Sequence, residues 1–166
     1  MFPRPDMDEI FDAIEKCGIT LFYGVPTLYK YLADNPRIKR ANLKKVKHFV
    51  CGADTLHEET RRDWERETGR EIMEGYGLTE TTAVSHAQPF GRNKPGTLGV
   101  PLPSTYAAIA HMDKDEFLPP GEEGELVVSG PQVLKGYWQK PEANKDSFLE
   151  AGGKVWFRTG DVGWMD

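Results

Sequence analysis

The chain has 166 residues, 39% hydrophobic and 28% charged, with a formal net charge of −5. That is the composition of a globular protein with enough apolar material for a core, in one domain or two small ones. The acidic balance argues against a general nucleic-acid surface, which needs clustered Lys and Arg, and the basic residues between 39 and 47 are interrupted by Ala41, Asn42, Leu43 and Val46.

No apolar run approaches the ~20 residues of a membrane span. The start, Met1-Phe2-Pro3-Arg4-Pro5, lacks the apolar segment of a signal peptide. Cys17 and Cys51 form no CxxC motif, which fits reduced thiols and a cytoplasmic protein. The histidines His48, His57, His86 and His111 lack metal-ligand spacing.

In chain order, Asp6 and Glu9 resemble a capping box that starts a helix with Ile10, Phe11, Ile14 and Cys17 on one face, and Gly18 at its C-terminal cap. Residues 19–23 read as a strand buried on both faces. Pro26 can open a second helix carrying Leu28, Tyr31 and Leu32, which Asn35-Pro36 stops. Residues 46–51 read as a second strand, 57–68 as a charged helix and 71–74 as a third strand. Alternating strands and helices predict a parallel βαβ sheet over residues 1–90. From Gly91 onward, Pro and Gly punctuate short runs at 97–100, 106–111, 125–129 and 154–157. These predict a small antiparallel, β-barrel-like or open-sheet subdomain over residues 91–166. The class is therefore α/β with an antiparallel appendage.

The densest polar cluster is Gly75-Tyr76-Gly77-Leu78-Thr79-Glu80-Thr81-Thr82, directly after the third strand. Glycines beside an aromatic let the backbone approach a flat ring stacked on that aromatic. The hydroxyls and free N–H groups suit a phosphate, and Glu80 is a hard oxygen donor for Mg²⁺. The alternative is a glycine turn leading into a Thr-capped helix. Gly52-Ala53-Asp54 follows the second strand at the same carboxyl end of the sheet, where open α/β sheets bind ligands, though a plain βα turn has the same composition. Thr159-Gly160-Asp161 ends an extended run and presents an Asp on a Gly turn, suited to two vicinal ribose hydroxyls or to an Asx turn.

Taken together, these motifs resemble the adenylate-forming superfamily of acyl-CoA synthetases, luciferases and peptide-synthetase adenylation domains. The resemblance rests on Tyr76-Gly77-Leu78-Thr79-Glu80, with Gly24-Val25-Pro26-Thr27-Leu28-Tyr29, Gly52-Ala53-Asp54-Thr55-Leu56, the run from Gly124-Glu125-Leu126 to Gly136-Tyr137-Trp138, and Arg158-Thr159-Gly160-Asp161, all in the family's order. Leu78 and Ser85-His86-Ala87-Gln88-Pro89 look most like medium- and long-chain fatty acyl-CoA synthetases, whereas Cys51 and Thr55 depart from the usual Ser and Pro.

The resemblance implies ATP, Mg²⁺, a fatty acid and coenzyme A as reactants. Tyr76 is implied to stack on adenine against a wall of Gly52, Ala53, Asp54 and Gly75. Thr79 is implied to contact the α-phosphate, Glu80 to hold the metal and Asp161 to bind ribose. Gly52, Gly77 and Thr82 are implied to border the acyl pocket. The run ending at Trp138 is expected to be structural. The family's upstream phosphate loop and downstream C-terminal domain have no counterpart in these residues, so the isolated chain is expected to be an inactive internal fragment. Two other readings are a non-catalytic nucleotide-binding module and a luciferase-like or carrier-loading member of the superfamily.

Overall fold

A computed structural model describes residues 6–166, so the Met1-Phe2-Pro3-Arg4-Pro5 start lies outside the described residues. They divide into two compact units. The first takes the chain up to Gly75 and then Gln88–Gly99; the second takes Tyr76–Ala87 and Val100–Asp166. Residue 91, where the composition changes, lies inside the segment Gln88–Gly99 of the first unit.

In the first unit, α1 (Met7–Cys17) is capped by the Asp6 carboxylate, which accepts from the N–H groups of Asp8 at 2.9 Å and Glu9 at 3.1 Å. It ends at Gly18, whose φ of 66° is the left-handed conformation a terminal glycine supplies. Phe11 and Ile14 are buried, but Cys17 is exposed. Ile10 packs against the core partly buried, so the face shared by these four residues meets the core except at the last turn.

The strands β1 (Leu21–Gly24), β2 (His48–Cys51) and β3 (Ile72–Tyr76) are parallel in the order β1-β2-β3, with Leu21 opposite His48 and Phe49 opposite Ile72. Between them run α2 (Pro26–Asp34) and α3 (Glu58–Thr68). Asn35 ends α2 and its side chain accepts the Arg37 N–H at 2.8 Å, opening a 3₁₀ turn at Pro36–Arg40.

The core is aromatic. Tyr29, Phe49 and Trp64 are almost fully buried, and Trp64 meets Tyr29 and Phe49 edge-on at 5.0 and 4.9 Å. The Tyr29 hydroxyl donates to the Val50 carbonyl at 2.9 Å. Truncating one buried aromatic of this kind costs ~3–5 kcal/mol. Contrary to expectation, β1 is not buried on both faces. Phe22 packs against this core, whereas Leu21 and Tyr23 point the other way and are exposed.

The second unit is antiparallel. Two short strands, β4 (His86–Ala87) and β5 (Val100–Pro101), pair with each other. The expected strand at 97–100 begins late because the Gln88 amide binds the Thr97 carbonyl at 2.7 Å and its hydroxyl at 2.9 Å, holding that residue in a turn. The strands β6 (Tyr106–Ala110) and β7 (Gly124–Ser129) follow, then α4 (Pro141–Ser147), β8 (Phe148–Ala151) and β9 (Lys154–Gly163). They form a four-stranded sheet ordered β6-β7-β9-β8.

This sheet is open rather than a closed barrel, since its edge strands β6 and β8 do not pair with each other. Every residue of β7 is buried because both faces are covered. Val127 packs with Ala110, Leu149 and Trp156, and Leu126 and Val128 pack with Ile109. The β8–β9 hairpin turns through Gly152 and Gly153, both at positive φ, a Gly-Gly signal legible in the sequence. No helix of the described residues is long and apolar enough to cross a membrane.

Burial pushes the Cys51 thiol up to about 12, helped by the charge of Glu74. At pH 8 only about one such thiol in ten thousand is ionised. Alkylation of the native protein should therefore modify Cys17 and spare Cys51, with both reacting in guanidinium. Equal native labelling, read by peptide mass, would place Cys51 outside the core.

Candidate functional site

The Gly52-Ala53-Asp54 loop leaves the carboxyl end of β2. The Gly52 N–H donates to the Gly24 carbonyl at 3.3 Å, and a Cβ on Gly52 would lie 3.4 Å from the Gly75 carbonyl. The ends of the three strands thus adjoin in the first unit, as parallel topology dictates. Ala53 has φ of 71°, a left-handed backbone rare for a residue with a side chain. Glu74, missed by sequence reasoning, anchors this loop from β3. Its half-buried carboxylate accepts the N–H groups of Leu56 and Gly96, and burial raises its pKa.

In the second unit the chain turns back on itself after Tyr76. A Cβ on Gly77 would lie 1.6 Å from the Ala83 carbonyl oxygen, so no side chain fits. Thr79–Thr81 form one 3₁₀ turn rather than a Thr-capped α-helix. Thr81 is fully buried; its hydroxyl accepts the Leu78 N–H at 2.8 Å. Thr82 and Ala83 both have positive φ, and the Ser85 N–H closes the loop onto the Tyr76 carbonyl at 2.8 Å. Five non-glycine residues have positive φ among the described residues, and Ala53, Thr82 and Ala83 of these two loops account for three. Strain of this kind persists only where the surroundings impose it, and it clusters at functional sites.

Two tyrosine hydroxyls each hold one carboxylate in the second unit. The Tyr76 hydroxyl donates to Asp161 Oδ2 across 85 positions of sequence. The Tyr137 hydroxyl donates to Glu80 Oε1 at 2.8 Å. Burial, and then the Asp161 bond, raise the Tyr76 pKa, so its proton stays on the phenol. Asp161 is exposed and engages Tyr76 with its side chain, while its N–H donates to Thr159 Oγ1 at 3.1 Å. Thr79 is exposed and Glu80 half-buried.

The segment expected to be purely structural also braces this turn. The Leu134 N–H donates to the Glu80 carbonyl at 2.8 Å, and the Thr82 hydroxyl to the Gln132 carbonyl at 2.7 Å. Tyr137 therefore belongs with the polar cluster, whereas Trp138 is 86% exposed. No spacing rule could have linked Tyr137 to Glu80. Ser85 and His86 are buried together at 2.9 Å, and burial lowers the His86 pKa.

The sequence of residues 1–138 matches the family model described as AMP-binding enzyme. The chain belongs to that family. It is 42% identical over its whole length to a long-chain-fatty-acid–CoA ligase of Bacillus subtilis, of which it covers 29%. It is 34% identical over 97% of its length to a feruloyl-CoA synthase of an Amycolatopsis species, covering 32% of that protein. Its fold matches the ATP-bound crystal structure of MatB from Rhodopseudomonas palustris with a TM-score of 0.90, at 35% identity over the full chain and 32% of MatB. The chain thus spans under a third of the length of these relatives, and its α/β architecture is that of adenylate-forming enzymes.

The close approach at Gly77 makes a sharp prediction for this member of the family. Gly77→Ala should destabilise the second unit by ~3 kcal/mol or more, because a backbone carbonyl must move to admit one methyl. A thermal midpoint unchanged by the substitution would show that the Gly77–Ala83 contact is not formed.

Proposed function

We propose that the protein carrying this chain is a fatty acid–CoA ligase. A carboxylate oxygen of the acid attacks the α-phosphorus of MgATP, the bond to pyrophosphate breaks and an acyl-adenylate forms. The thiol sulfur of coenzyme A then attacks the acyl carbonyl carbon, the bond to AMP breaks, and the thiol proton leaves to solvent. A carboxylate is a weak nucleophile, so the protein contributes chiefly by positioning the reactants and offsetting phosphate charge.

The observation that carries the reading is the bond from Tyr76 to Asp161. It brings an aromatic ring and an exposed carboxylate together from opposite ends of the second unit's sequence. A ring beside an acceptor pair is what a nucleoside needs: a surface for the base and acceptors for its vicinal hydroxyls. In this reading Tyr76 stacks on adenine, Asp161 accepts both ribose hydroxyls and Thr79 contacts the α-phosphate. Gly52, Ala53, Asp54 and Gly75 supply the small-residue wall, and Gly52, Gly77 and Thr82 border the acyl chain.

Glu80 is the residue to hold Mg²⁺. Among the described residues no cluster of three His, Cys, Asp or Glu could build an all-protein cage. One half-buried carboxylate beside threonine hydroxyls instead suits an ion that arrives on ATP and takes its remaining ligands from phosphate and water. The fatty-acid relative favours a long acyl chain, and the feruloyl relative makes an aromatic acid the natural competitor in assays.

In the full-length protein, Glu80→Gln should lower adenylation at saturating Mg²⁺ by tenfold or more, about 1.4 kcal/mol in barrier, with the fold intact. A loss within about twofold would remove Glu80 from the metal. Asp161→Asn turns one acceptor into a donor and should weaken ATP binding on the order of tenfold, since charge-assisted bonds contribute ~1.5–3 kcal/mol. The preference among C8, C16 and aromatic acids should stay as in wild type. ATP titration beside an acid series reads both, and a shifted acid preference would move Asp161 away from the ribose.

A further inference from the structure

The loop that presents Asp161 is a break in an otherwise regular ladder. Glu125 of β7 stands opposite Val162 of β9, and Val127 opposite Arg158, so Thr159, Gly160 and Asp161 face Leu126 alone. A bulge of this size leaves backbone donors and acceptors without ladder partners, and buried ones must be satisfied elsewhere. Here side chains satisfy them. The Gly160 N–H donates to Glu125 Oε1 at 2.9 Å, and the Thr159 hydroxyl donates to the Leu126 carbonyl at 2.8 Å.

Glu125 is buried in the strand. Its second oxygen, Oε2, accepts from Arg158 Nη1 at 2.6 Å, and the other arm of Arg158 reaches Asp115 Oδ1 at 2.9 Å. Both carboxylate oxygens of Glu125 are thus committed to the residues that flank Thr159. A buried charge is costly unless paired on all sides, and an apolar residue would fill this part of β7 without that cost. Its presence is explained by the shape it imposes: Gly160 held at φ of 77°, with Asp161 turned toward Tyr76.

We propose that Glu125 is a positioning residue for nucleotide binding, acting through Gly160 to set where the Asp161 carboxylate meets the ribose. The proposal rests on the ribose reading of Asp161 given above. It moves Gly124-Glu125-Leu126 from a stretch that only builds the sheet to one that shapes the site. Glu125 itself touches no nucleotide.

The test uses the full-length protein and two ligands, AMP and 2′,3′-dideoxy-AMP, titrated calorimetrically against wild type, Glu125→Gln and Asp161→Asn. Whichever way the amide introduced by Glu125→Gln turns, its NH₂ meets a donor, either the Gly160 N–H or Arg158. AMP affinity in Glu125→Gln should therefore fall about tenfold, while dideoxy-AMP affinity stays within about twofold of wild type. KM for the acid and for coenzyme A should not move.

Equal losses for the two nucleotides, with wild type preferring AMP, would mean a general structural defect and overturn the proposal alone. A wild type that binds both nucleotides equally, or an Asp161→Asn variant with unchanged AMP affinity, would overturn the ribose reading and the proposal with it. A measurement on unmodified protein stands beside these in case Glu125→Gln does not fold. The Gly160 amide should already be protected from hydrogen exchange before nucleotide is added, by about tenfold or more over an unstructured peptide. An unprotected Gly160 amide would overturn the positioning role.

Discussion

The carbonyl of Ala83 occupies the space where a side chain on Gly77 would be, 1.6 Å from an ideal Cβ. That contact forces the chain to double back within a few residues of Tyr76. The 3₁₀ turn at Thr79–Thr81, the left-handed Thr82 and Ala83, and the return of Ser85 to the Tyr76 carbonyl all follow from it. The loop returns to the Tyr76 carbonyl at Ser85, with Thr79 and Glu80 between its two ends.

Held carboxylates are the second theme. Asp161 and Glu80 are each met by a tyrosine hydroxyl, and Glu125 by a backbone N–H and an arginine. Burial keeps the Tyr76 phenol protonated, so it serves as a neutral donor. A neutral donor orients an acceptor without cancelling its charge. That is the state in which a carboxylate can still bind hydroxyls or a divalent cation. Rotational freedom lost in folding does not have to be lost again on binding, which is the physical content of preorganisation.

Family membership and these local geometries support each other from different directions. The similarity to CoA ligases covers whole motifs without saying why each residue type is required. The structure supplies reasons for some of them. Gly77 is glycine because a carbonyl lies on it, and Thr159 is hydroxylated because the Leu126 carbonyl has no ladder partner on β9. Glu125 is acidic because Gly160 and Arg158 both need an acceptor. Trp138, exposed among the described residues despite its place in a matched motif, receives no such reason.

The sequence alone determined the parallel order of strand and helix in the first unit, the caps at Asp6 and Gly18, the helix stop at Asn35-Pro36, and the motifs that carry the family resemblance. These are local or periodic properties, written in neighbouring residues. It also contained the Gly152-Gly153 hairpin, a signal as local as the others. Tertiary structure alone decided which faces are covered: Tyr23 alternates like a buried strand residue but lies opposite the aromatic core. It decided that the antiparallel sheet stays open, since closure depends on whether β6 and β8 meet. Most of all it decided the partners of the acidic groups, because Tyr76 with Asp161 and Tyr137 with Glu80 are separated by 85 and 57 residues. No propensity or spacing spans such distances; only the packing of β7 and β9 and the return of the 132–137 segment bring those hydroxyls to their carboxylates.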